Sequence, residues 1–384
     1  MNILHIITGL RCGGAENTLK NLLSLHHSWA SQTVATLDGR RTPLAGECER
    51  AGARVVSFRS IRGLWSTLRG MRPELIQAWM YHGNLAGAVL GSIIRTPVLW
   101  NLRRGALVSA DSLQLKAVSR ACAALSSSAP AAVVCCSEAA MQSHVAAGYC
   151  AARMTVIPNG VDSNRFHPSL DLRRSLRRDL GLADAAFVIG HVGRFSPVKD
   201  HATLVAAFAQ LADRRPNAAL LLCGQDVTER NAQLTACLRG HNLNGNVRLL
   251  GLRADVERVL PAFDVLACSS LTEGFSNVVV EAMSAGVPVI ATDVGENRAV
   301  IGDTGLVVEQ ECPGQLADAA IALFDLGRDA RLALGARARQ RVTNEYDLAS
   351  MGRRYRDLYE SCARKTPVRS RDRQGADTLP QKEI

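Results

Sequence analysis

Residues 273–296, EGFSNVVVEAMSAGVPVIATDVGE, decide how the rest of the chain reads. A polar loop, TEGFSN, runs into the apolar stretch from Asn277 to Ala285, and a glycine turn then leads to VPVIAT, a short β-branched run. Loop, helix and buried strand in that order form one segment of a β/α alternation. Glu281 interrupts the apolar helix one turn in, about 6 Å along the axis from its start at 1.5 Å per residue. A carboxylate there is costly unless something hydrogen-bonds it. Two partners are open: a cation of the chain itself, such as Arg298, or a ligand diol in a cleft at the helix start. Ser276 or Asn277 can cap the helix, whose free amides would face an anion.

The same alternation extends in both directions. NILHIIT, QTVATL, ARVVSF, ELIQAW, PVLWNL, AAVVCC and MTVIP read as strands of one parallel sheet, and AFVIGHVG, AALLLCG, NVRLLG, DVLACS, VPVIAT and GLVVE as strands of a second. The fold class is therefore α/β, with two Rossmann-like β/α domains facing across a cleft. Expected boundaries are 1–165 for the N-terminal, acceptor-binding domain and 166–345 for the C-terminal domain, with the junction between 158 and 180. A helix over 346–362 returns to the N-terminal domain, and the polar tail 363–384 is expected to be disordered.

Composition narrows the function classes. Of the 384 residues, 47% are hydrophobic and 4% aromatic. The opening MNILHIITGL reads as a buried strand, not a signal peptide, and no apolar run reaches the roughly 18 residues of a membrane span. Eleven cysteines without a C-x-x-C spacing suggest reduced thiols and a cytoplasmic protein. Of the net charge of +10, +9 lies in the first half, where residues 1–170 hold 17 Lys/Arg against 8 Asp/Glu. Basic stretches such as RRGALV and RSIRG lack interleaved aromatics, which argues against nucleic acid and for an anionic membrane surface or a phosphate-bearing acceptor. A solvated basic face is the plain alternative.

In doubly wound sheets ligands sit beyond the carboxyl ends of the strands, so four loops stand out. TGLRCGGAEN offers Gly13 and Gly14, where backbone can approach a phosphate or merely turn tightly; its spacing is not the dinucleotide fingerprint. GHVGRFSPVKDH brings Arg194 and Lys199 together, either solvated or neutralising a diphosphate. TEGFSN supplies Glu273 and the amides of Gly274, Phe275 and Ser276, with Glu281 beyond. AWMYHGNLAG and WNLRRG place His82, Asn84 and Arg103 on the opposite, acceptor side, with a structural role for His82 as the alternative. No Asp-x-Asp pair and no metal-spaced cluster occurs, so no metal and no other cofactor is expected.

Taken together, GGAEN, VIPNGVD, GRFSPVKDH, the Glu-x7-Glu motif EGFSNVVVE and EAMSAGVPVIATDVGEN resemble the retaining glycosyltransferases of family 4, which have the GT-B fold. The likeness covers nearly all of residues 1–360. It implies metal-independent transfer of a sugar from a nucleotide diphosphate donor, with a UDP-sugar favoured, and with retention of configuration. By position in the motifs, Arg194 and Lys199 would hold the diphosphate, Glu281 the ribose, Glu273 the donor sugar, with amides of Gly274, Phe275 and Ser276 completing the contacts and Gly14 approaching from the other domain. Glu273, Arg194, Lys199 and His82 would be the catalytic set. Many members carry a His at the end of the strand that reads PVLWNLRR here, where this chain has Asn101 and Arg103; His82 would take that place, or the chain dispenses with it. The implied setting is cell-surface polysaccharide synthesis, exopolysaccharide or lipopolysaccharide, on a glycan or polyprenyl-linked acceptor at the inner face of the cytoplasmic membrane. A nucleotide-sugar epimerase and an inactive scaffold of the same shape are the competing classes.

Overall fold

The computed structural model describes residues 1–11, 13–57, 71–105, 107, 111–243 and 245–364. Each apolar run quoted above contains one strand. The first sheet holds β1 (Asn2–Ile7), β2 (Ser31–Thr36), β3 (Arg54–Ser57), β4 (Leu75–Trp79), β5 (Val98–Leu102), β6 (Ala132–Cys135) and β7 (Met154–Val156), in the order β3-β2-β1-β4-β5-β6-β7. The second holds β8 (Phe187–Val192), β9 (Ala218–Cys223), β10 (Val247–Leu249), β11 (Val265–Cys268), β12 (Val289–Thr292) and β13 (Leu306–Val308), in the order β10-β9-β8-β11-β12-β13. Neighbouring strands run parallel, as in β1 on β4 with Leu4 opposite Ile76 and β8 on β11 with Gly190 opposite Leu266.

Parallel strands need crossovers, and helices supply them on both faces. That is why the central strands read as unbroken apolar runs: β4 and β5 are buried along their whole length. The strand order reverses between β1 and β4 in one sheet and between β8 and β11 in the other. Loops leaving adjacent strands at such a reversal turn to opposite faces and leave a crevice between them. The loops after β1, β4, β8 and β11, together with the end of β5, carry the side chains singled out from the sequence.

Two segments join the domains. Val161 donates its N–H to the Tyr346 carbonyl at 2.8 Å and accepts from Leu348 N–H at 3.2 Å. A Cβ at Gly160 would stand 2.6 Å from the Leu348 Cα, so only glycine lets these two crossings lie so close. The last helix, Leu348–Arg364, then packs on the helix Gly14–His26 of the first domain, where Trp29 stacks on Tyr359 and Arg356 covers its other side at 5.2 Å. The tail from residue 365 onward and the RSIRG stretch lie outside the described residues.

Asp264 anchors the second domain from below. Its carboxylate accepts from Arg173 at 2.7 Å, from Arg177 at 2.6 Å and from the Val188 N–H at 2.8 Å. Burial alone would raise its pKa, but the two guanidiniums outweigh it and hold the group below the usual carboxylate range.

Candidate active site

The cleft is floored by the loops of β8 and β11, which are stitched together by main chain. Ser269 donates its hydroxyl to the carbonyls of Lys199 and Asp200 at 2.9 and 3.0 Å, and Leu271 N–H bonds the Val198 carbonyl at 2.8 Å. Pro197–Lys199 forms a single 3₁₀ turn, and Asp200, at φ 43°, caps the helix His201–Arg214 by accepting from Thr203 N–H at 3.1 Å. This fixes where Lys199 points. Its Nζ lies 2.5 Å from Glu273 Oε1, which also accepts from the Ser270 hydroxyl at 2.7 Å. Burial opposes charge on Lys199, yet the Glu273 carboxylate beside it raises its pKa above the ordinary lysine value, so the ammonium stays charged.

Lys199 and Glu273, assigned from the sequence to diphosphate and sugar, are thus partners of each other. Arg194 is exposed one turn earlier, with no ion pair or hydrogen bond to its side chain among the described residues. It lies near enough to Glu16, in the opposite wall, to oppose the rise in that carboxyl's pKa that burial causes.

The loop 273–276 delivers the helix Asn277–Ser284 with its amino end open. Ser276 occupies the cap position without a capping hydrogen bond; its hydroxyl turns toward Cys268 Sγ at 3.8 Å. The expected side-chain cap is therefore absent, and the amides of Gly274, Phe275 and Ser276 donate to no protein group among the described residues. Phe275 itself is core, its ring 5.7 Å from that of Tyr346, so only its backbone faces outward.

For Glu281 the Arg298 alternative drops out. Arg298 bonds Asp293 at 2.9 and 2.5 Å and not Glu281. No side-chain hydrogen bond to Glu281 exists among the described residues. Burial raises its pKa to about 7, against the pull of the Arg165 and Lys20 charges. A half-buried carboxylate with unshared lone pairs, one turn from an uncapped helix start, has acceptor capacity that no described side chain uses.

The other wall corrects two assignments. Asn84 is fully buried under the turn after β4: its Oδ1 lies 3.4 Å from Asn101 N–H, and with the amide turned over it donates to Ala78 and Met80 carbonyls at 3.0 and 3.2 Å. It holds the turn that Met80 makes at φ 61° and does not face an acceptor. Arg103 also points inward: Nε reaches Asn101 at 2.7 Å, and Nη1 reaches the Ile157 carbonyl at 3.1 Å and Asn159 at 2.6 Å. Burial lowers its pKa without removing its charge at neutral pH. His82 sits half-buried in the first turn of the helix Met80–Ile94. Gly14 opens its helix directly opposite Asn277, where an added Cβ would lie 3.5 Å from Asn277 Nδ2. Glu16, Asn159 and Asn277 carry contacts across the cleft that sequence reading did not assign; the only signals were their places in GGAEN, IPNGVD and FSN.

The walls meet without gaps beside the donor loop. Cβ atoms at Gly105 and Gly274 would stand 2.5 Å from the Glu273 carbonyl oxygen and 2.8 Å from the Arg104 Cα. Ser137 donates its hydroxyl to the Gly274 carbonyl at 2.7 Å. No group of three or more His, Cys, Asp or Glu among the described residues is placed to hold a metal ion, and no described helix is long and apolar enough to cross a membrane.

Comparison with known proteins bears on the fold. Residues 13–160 match the model of the glycosyl transferase 4-like domain and residues 186–325 that of glycosyl transferases group 1. The GDP-mannose-dependent monoacylated alpha-(1-6)-phosphatidylinositol monomannoside mannosyltransferase of Corynebacterium glutamicum is 34% identical over 216 residues, 53% of this chain and 55% of its own. The UDP-Gal:alpha-D-GlcNAc-diphosphoundecaprenol alpha-1,3-galactosyltransferase of Escherichia coli is 26% identical over 54% of each chain. The chain spans about half the length of these curated relatives. Among solved structures, Anabaena HepE in complex with UDP and glucose superposes with a TM-score of 0.84 over 94% of this chain and 99% of its own at 23% identity. WaaG, a glycosyltransferase involved in lipopolysaccharide biosynthesis, gives 0.70 over 93% and 99% at 17% identity. The chain thus has the two-domain architecture of these solved structures, with a first domain that matches the glycosyl transferase 4-like model and a second that matches glycosyl transferases group 1.

Proposed function

We propose that the protein transfers a sugar from a nucleotide diphosphate donor to a glycan or lipid-linked acceptor, with retention of configuration and without a metal ion. The observation that carries this reading is the partnerless Glu281 beside an uncapped helix start, within the same loop system as a buried lysine. A nucleoside diphosphate supplies what each lacks: a ribose diol for Glu281, phosphate oxygens for the free amides, and a dianion for Lys199 and Arg194. Glu273, released from Lys199 as phosphate takes its place, is then free to accept from hydroxyls of the donor sugar.

Catalysis in this arrangement is electrostatic. Negative charge grows on the departing diphosphate, and Lys199, Arg194 and the helix amides would already contact it once the donor is bound, so little further reorganisation accompanies the step. The leaving phosphate oxygen takes the acceptor's proton on the face it vacates, which gives retention without a second carboxylate. His82 is assigned to the acceptor side of the same cleft. UDP is the favoured nucleotide, and the basic N-terminal domain suits a phosphate-bearing or membrane-presented acceptor in cell-surface polysaccharide synthesis at the inner face of the cytoplasmic membrane.

The test is calorimetric titration with UDP, GDP and ADP, each with and without magnesium, on the wild type, Glu281→Ala and Lys199→Ala. Metal-independent binding of one nucleotide, weakened by both substitutions, is the expected result. Absence of binding by all three overturns the reading.

A further inference from the structure

The contacts between the two helix starts that face the cleft converge on one amide. Asn159, in the IPNGVD segment that leaves the first sheet, is 5% exposed. Its Oδ1 accepts from Arg103 Nη1 at 2.6 Å and lies 3.3 Å from the Thr18 hydroxyl, while its Nδ2 donates to Asn277 Oδ1 at 2.6 Å. Thr18 belongs to the helix that begins at Gly14, and Asn277 begins the helix that carries Glu281. Arg103 stands at the end of β5 and is braced in turn by Asn101, whose Nδ2 donates to the Tyr355 hydroxyl at 2.9 Å on the returning C-terminal helix.

We propose that Asn159 is an interdomain clasp that holds the cleft closed, with Arg103 as the positioning residue that acts through it. Three features carry this. The bonds of Asn159 are divided by domain: its oxygen faces only first-domain donors, and its nitrogen faces only the second domain. Opening the cleft breaks the Asn159–Asn277 bond, together with the Ser137–Gly274 and Ala139–Glu296 bonds that also cross it, and can leave the Arg103 side whole. The Asn159–Asn277 bond is sheltered from water, where an unmade partner costs more than it does at a surface. Its place also fixes what it controls, since Gly14 faces Asn277 and the two amino ends that would share a diphosphate are set by this contact.

The arrangement explains why Arg103 points inward. A guanidinium has donors in a fixed fork, and here Nε and Nη1 are committed to Asn101, Ile157 and Asn159 while the plane lies 5.6 Å from the centre of the Tyr355 ring. A lysine could not satisfy the same set. The clasp therefore depends on the Arg–Asn–Asn combination and not on charge alone.

Small-angle X-ray scattering on the full-length chain tests this without any nucleotide, so it stands apart from the donor reading, which the titration above decides. The wild type should show a radius of gyration near the roughly 21 Å of a compact chain of this length. Asn277→Ala and Asn159→Ala should both scatter as larger, opened particles, with the thermal midpoint of Asn277→Ala close to wild type and that of Asn159→Ala lower, because the latter also removes an acceptor of the half-buried Arg103. Asn277→Asp retains an oxygen that accepts from Asn159 Nδ2 and should restore the wild-type radius. The proposal is overturned if both alanine variants scatter like wild type, or if Asn277→Asp is as open as Asn277→Ala. Should Asn159→Ala fail to fold, the Asn277 pair alone decides, because Asn277 is half-buried at a helix end.

Discussion

Replacing Glu281 by glutamine separates what this residue does for the fold from what it does for a ligand. Its carboxyl titrates near 7 in the folded chain against 4.5 without the fold, because burial penalises the ionised form and no protein donor compensates. A raised carboxylate pKa means that the folded chain holds the proton more tightly than the unfolded one. Between about pH 4.5 and 7 the folded state therefore binds more protons, and stability declines as pH rises through that window. Above it, the full difference of about 2.5 pH units at about 1.4 kcal/mol each amounts to a destabilisation on the order of 3 kcal/mol, falling to about 1 kcal/mol at pH 5. Glutamine keeps the shape and cannot ionise. Allowing about 1 kcal/mol for burying its amide, Glu281→Gln should gain about 2 kcal/mol at pH 8 and close to nothing at pH 5.

Urea denaturation of wild type and variant at the two pH values measures this directly, following the transition of the second domain if the domains unfold separately. The same variant should bind UDP about tenfold more weakly, the loss of one hydrogen bond to a charged acceptor. Wild-type affinity should fall below pH 7, because ribose hydroxyls donate to the ionised carboxylate and binding must first remove its proton, whereas the variant should lack that component. A variant that is no more stable than wild type at pH 8 would refute the argument: Glu281 would then have a partner in the folded chain.

Lys199→Ala and Glu273→Gln, combined in a double-mutant cycle of unfolding, should show a coupling of about 1–3 kcal/mol in the absence of nucleotide, since the pair is mostly buried; independent effects would mean the contact carries no energy. Asp264→Ala strands Arg177, which is 1% exposed, and should cost about 3–5 kcal/mol by denaturant midpoint. Because the Asp264 pKa is depressed, its contribution is present at neutral pH and lost as pH falls below the ordinary 3.8 of an aspartate, so the gap between variant and wild type should narrow in acid. Gly105→Ala drives a methyl group into the Glu273 carbonyl oxygen and should weaken UDP binding at least tenfold with little change in melting temperature; unchanged binding would show that this contact can shift at no cost.

How much of this was legible in the sequence depends on the kind of force involved. The strands were, because burial on both faces of a parallel sheet writes itself as unbroken β-branched and aliphatic runs, each short and bounded by turn residues. The loops that build the cleft followed from strand ends, with Lys199 and Glu273 legible as charges on those loops and Glu281 as a charge in a place where charge is expensive. What the sequence could not carry was direction. Arg103 and Asn84 sit at strand ends facing the cleft in one dimension, yet tertiary donors and acceptors turn both inward: Asn159 and Asn101 for the first, the main chain around Met80 for the second. The Lys199–Glu273 pair was missed for the same reason, since 74 positions separate two groups that parallel pairing of β8 with β11 brings within 2.5 Å. Asn159 lies deepest in this category. Nothing in IPNGVD distinguishes a turn asparagine from one whose amide bridges two domains, because its three partners come from residues 18, 103 and 277 and exist together only once both sheets have formed. Polar side chains at a domain junction thus acquire their roles last, and the residues that control closure are the ones least visible before the fold is known.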